Sequence, residues 1–93
     1  MNKDKNNSDD RYFRTQNFYS ACFLLARGFE LVNIDKTVDP KRAYFVFCNS
    51  PELELQLHLF NFAKDNSSEL LINARTIFTA IKQLKNALYQ NIF

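Results

Sequence analysis

Glycine is almost absent from this chain. One residue of 93, Gly28, can enter left-handed backbone without steric cost. A glycine-rich phosphate cradle is therefore excluded, as is a collagen-like repeat. Few tight turns are expected, and the single glycine has a natural use. Phe18, Cys22, Leu25 and Ala26 share one face of an amphipathic helix, with Tyr19 and Phe23 beside them. Gly28 follows this stretch, where a left-handed residue commonly ends a helix. Thr15 is the expected N-cap, its hydroxyl accepting from a free backbone N–H of the first turn.

The remaining chain is rich in core-forming residues. It is 46% hydrophobic, and ten of its fourteen aromatic residues are Phe. Its length suits one domain. Residues 1–10 (MNKDKNNSDD) hold one hydrophobe, Met1, and are expected to be a disordered arm, with a single domain over 11–93. Phe29 to Ile34 reads as a strand. Asp39–Pro40 punctuates a turn, and Arg42 to Cys48 (RAYFVFC) reads as a second strand. The second is apolar on both faces, so it is expected to be central or covered on both sides. Together they form an antiparallel hairpin.

Ser50–Pro51–Glu52 then supplies a cap, a first helical residue and a favourable charge for a second helix. Leu53, Leu55, Leu57 and Leu59 alternate as in a strand, but the start signal and the Glu, Leu and Gln content favour helix. Such a helix carries leucines on more than one side. Leu70 to Ile72 is a candidate short third strand. Asn73 caps a last helix on which Ile77, Ile81, Leu84 and Leu88 share one face. Phe18, Phe23, Phe29, Phe45, Phe47 and Phe78 are assigned to the core. The expected class is α+β, ordered helix, hairpin, helix, short third strand, helix.

Three segments carry a resemblance: YFRTQNFYSACFLLARGFELVNID, RAYFVFCNSPELE and NARTIFTAIKQLKNALY. In this order they resemble a small family of bacterial and phage domains of unknown function, over about residues 12–89. The resemblance implies a small α+β module and no activity, cofactor or catalytic residue.

Chemical motifs are sparse. His58 is the single histidine, and Cys22 and Cys48 lie far apart without metal-ligand spacing. Glu52 and Glu54 are two apart, so on a helix they point to different sides. No catalytic, cofactor or metal residue is assigned, and an enzyme is not expected. Both cysteines sit in apolar runs and are expected to be buried thiols in a reducing cytoplasm. The first ten residues are polar, and the apolar run Ala21 to Ala26 is too short to span a bilayer.

Two binding readings remain. The first is a self-associating accessory module, a homodimer in the simplest case. Its candidate interface residues are Phe13, Leu55, Leu59, Phe60, Phe62, Tyr89 and Phe93, an apolar surplus for so small a core. The alternative is weak nucleic-acid binding by a regulatory protein, with Arg11, Arg14, Arg42, Arg75, Lys82 and Lys85 as candidate contacts. A net charge of only +2 argues against a strong polyanion binder.

Overall fold

In a computed structural model of the chain, residues 11–37 and 42–90 are described. The expected arm at 1–10, the Asp39–Pro40 turn and Phe93 lie outside them. The elements in order are β1 (Tyr12–Thr15), α1 (Phe18–Ala26), β2 (Leu31–Asp35), β3 (Tyr44–Cys48) and α2 (Pro51–Phe62). A 3-10 turn (Ser68–Leu70) and α3 (Ala74–Gln90) follow. The class is α+β, and the helix, hairpin, helix, helix order stands.

The third strand is at the other end of the domain from its expected place. Residues 68–70 form the 3-10 turn, while Tyr12–Thr15 pairs antiparallel with β3, Tyr12 opposite Cys48 and Thr15 opposite Phe45. The sheet order is β1-β3-β2, so the aromatic strand is central, as its composition demands. β2 runs antiparallel along its other edge, with a register shift between Leu31 and Asn33.

Because Thr15 is still in the sheet, it does not cap α1. Asn17 does: its side-chain oxygen accepts from the Ser20 N–H at 3.0 Å. The Thr15 hydroxyl accepts from the Asn17 N–H at 3.0 Å and shapes the bend between strand and helix. At the other end of α1, Gly28 takes φ +96°. Its N–H donates to the Leu25 carbonyl, and the Phe29 N–H donates to the Leu24 carbonyl. This paired closure is a Schellman motif and satisfies carbonyls that a helix end leaves open. Ser50 caps α2 by accepting from the Leu53 N–H at 3.0 Å. Asn73 starts α3 by accepting from the N–H groups of Arg75 and Thr76.

The core joins Ile34, Phe45 and Phe47 of the sheet to Ala21–Leu24 of α1, Leu53 of α2, and Leu84 and Ala87 of α3. Phe47, Leu24, Leu53 and Leu84 are fully buried, each contributing about 1.5–3 kcal/mol by leaving water. α1 is covered nearly all round: residues 20 to 24 are buried in succession, and Tyr19 is left outside. A one-sided stripe on α1 is therefore corrected to a central helix packed between α2 and α3.

Three phenylalanine assignments change. Phe13 packs against the core, since strand alternation puts it on the same face as its partner Phe47. Phe60 also packs there, its ring 4.8 Å from that of Phe23. Phe78, by contrast, is 67% exposed. Cys48 is exposed as well, so the expectation of two buried thiols holds for Cys22 alone. Cys48 stands two residues from Val46 on β3, on the sheet face away from the core cluster.

Candidate interaction surfaces

The alternating leucines of α2 resolve into two faces. Leu53, Leu57 and Phe60 point to the core. Leu55, His58, Leu59 and Phe62 follow at i, i+3, i+4 and i+7, which makes a second stripe on the outer side. Leu55 is 56% exposed and Phe62 74% exposed. The His58 ring lies 4.9 Å from the Phe62 ring, so it extends this stripe.

α3 is divided differently. Ala80, Leu84 and Ala87 are buried, with Ile77, Ile81 and Leu88 packed beside them. The helix rests mainly on α1. Away from that contact, Arg75, Phe78, Lys82, Lys85 and Tyr89 recur at i, i+3, i+7, i+10 and i+14. All five are exposed, Tyr89 to 77%. The spacing keeps them on one side for about 21 Å of helix. The overall charge hides how unevenly charge is distributed. Residues 70–93 contain Arg75, Lys82 and Lys85 but no Asp or Glu. Residues 51–69 contain Glu52, Glu54, Asp65 and Glu69 against one cation, Lys64.

The other candidate cations are placed elsewhere. Arg14 lies on the sheet face away from the helices, its guanidinium 5.1 Å from the centroid of Tyr44. It reaches across β3 to Asp35 on β2 and forms a 2.6 Å ion pair. The Asp35 carboxylate also accepts from the Thr37 hydroxyl and N–H. These bonds, Thr37 first and Arg14 after it, lower its pKa to about 2. Arg11 sits over the Tyr12 ring, and Arg42 is exposed just before β3. Thus Arg75, Lys82 and Lys85 are brought together, while Arg11, Arg14 and Arg42 stand apart from them. Of the candidate interface residues, Leu55, Leu59 and Phe62 share a face. Phe13 and Phe60 have joined the core, and Tyr89 belongs to α3.

The frame that carries these helices matches a known family. Over residues 10–90 the sequence fits DUF5659, a domain of unknown function. The chain belongs to DUF5659. The match runs from β1 to the end of α3, the span of the resemblance expected from the sequence. No curated protein and no solved structure matches the chain.

Two cationic contacts hold this DUF5659 fold together without facing outward. The Arg27 guanidinium lies 5.0 Å from the Phe23 centroid and donates to the Glu69 carbonyl, tying the end of α1 to the 3-10 turn. Lys36 donates to the Leu88 carbonyl at 2.6 Å, placing a cation at the negative end of α3. Burial pushes the Cys22 thiol up to about 11, with the charge of Lys85 opposing the rise. Among the described residues of the DUF5659 chain, no cluster of His, Cys, Asp and Glu is arranged to hold a metal. No described helix is long and apolar enough to cross a membrane.

Proposed function

We propose that this DUF5659 chain is a non-enzymatic accessory module that self-associates through the outer face of α2. The observation that carries this reading is the second apolar stripe, Leu55, Leu59 and Phe62, on a helix whose core face is already occupied. An apolar row of this kind is the usual mark of a protein contact. A second copy of the same helix, crossing about a two-fold axis, covers it with like residues. Twelve residues span about 18 Å. That is short for a standard interface of about 800 Å² per partner, so the dimer is a weak one. The free thiols of Cys22 and Cys48 support a reducing, cytoplasmic setting.

The test is the mass in solution. Sedimentation equilibrium from 5 to 500 micromolar should show a dimer growing in with concentration. L55E combined with F62E should leave a monomer with unchanged circular dichroism, since both positions lie outside the core. A wild-type protein that stays monomeric throughout that range would overturn the reading.

A further inference from the structure

We infer that the outer stripe of α3 binds single-stranded nucleic acid. Arg75, Lys82 and Lys85 pair with phosphates, and Phe78 and Tyr89 offer rings on which bases stack. Two independent features meet on this face. The first is charge: three cations on one side of a helix, in a stretch of 24 residues that contains no Asp or Glu. The second is the exposure of Phe78 and Tyr89 in line with them, against the ordinary tendency of such rings to be buried. Cations interspersed with exposed aromatics are what a flexible phosphate chain with unpaired bases can use, since every base has a face to stack.

A lipid surface fits less well. An interfacial helix inserts a continuous apolar face. The apolar face of α3, through Ala80, Leu84 and Ala87, is committed to the core. Only two rings remain outside, separated by eleven positions with both lysines between them. An acidic protein would satisfy the cations but has no systematic partner for two isolated aromatic faces. The stripe lies on a different helix from the proposed dimer contact, so each can fail alone.

The experiment is fluorescence anisotropy with a labelled oligo-dT of 20 nucleotides, a 20-base-pair duplex and anionic phospholipid vesicles. Wild type and L55E/F62E are both measured, at 50 and 200 mM salt. For three phosphate contacts on a single strand, the logarithmic salt slope is about −2, a loss of roughly 20-fold over that range. R75A/K82A/K85A should lose most of the binding at 50 mM salt and with it the salt dependence. F78A/Y89A should lose about tenfold or more at both salts while keeping the slope, because stacking is not a counterion effect. Unchanged thermal unfolding of both variants would attribute these losses to the surface. Each of these results would overturn the inference: no binding of oligo-dT at 50 mM salt, wild-type affinity in F78A/Y89A, duplex binding as tight as oligo-dT, or vesicles bound in preference to oligo-dT. Loss of binding in L55E/F62E alone would assign the site to a dimer and overturn it as a property of α3.

Discussion

An alanine at position 28 would find open space and still be strained. Beyond its own residue and chain neighbours, no atom lies within 4 Å of where its Cβ would stand, so the whole cost comes from backbone at φ +96°. Left-handed backbone costs an L-residue about 1–2 kcal/mol, part of which the stiffer unfolded chain returns. Gly28→Ala should therefore lower stability by about 1 kcal/mol, seen as a lower urea midpoint with an unchanged slope. The role of Gly28 was legible because glycine chemistry is local: a helix pattern stops and the one permissive residue follows. The phenylalanines were less legible. Phe78 adjoins Ile77 in sequence, but one step around a helix turns it away from α1, where Ala80, Leu84 and Ala87 already fill the contact. Phe13 and Phe60 moved inward for the opposite reason: their neighbours in space, Phe47 and Phe23, come from other elements.

Whole elements follow the same division between local and distant causes. The starts of α2 and α3 were readable from Ser50 and Asn73, whose side chains cap within three residues. β1 was not. It has four residues, and its ladder partners come thirty to thirty-six positions later. Nothing in its own composition announces that pairing, and its last residue, Thr15, looks like a helix cap. The outer layer of the sheet was hidden in the same way, because Arg14, Tyr44 and Asp35 meet only once β1 and β2 flank β3. The charge stripe of α3 needed the burial of its opposite side to become visible. For Asp35 the consequence is measurable. Its carboxyl titrates at about 2 in the fold, below the ordinary 3.8. The bonds to Thr37 and Arg14 thus contribute fully above about pH 4 and are lost as pH falls from there toward 2. An NMR titration should place its midpoint near 2, and Asp35→Asn should remove that part of the acid dependence. A midpoint near 4 would mean that the bonds to Thr37 and Arg14 do not form in solution.

At the scale of the molecule, one side of the sheet is given to the helices, and the two outer helices each keep a row of side chains unused by the core. One row is apolar and one is cationic, on a chain whose total charge is nearly balanced. Composition alone averaged these into an unremarkable surface. The sheet order β1-β3-β2 has a different kind of consequence. The central strand, Tyr44–Cys48, contains no charge and no proline, and it is shielded on one edge by four residues of β1. If β1 detaches, that edge offers a row of free N–H and C=O groups beside an aromatic, β-prone sequence, the kind of template on which further chains stack. Deleting residues 1–16 should give a protein that forms thioflavin-positive aggregates at concentrations where the intact chain stays clear. A truncated protein that remains soluble and folded would show that the edge is guarded by something other than β1. By this account the first strand serves less as a part of the core than as a cap against polymerisation.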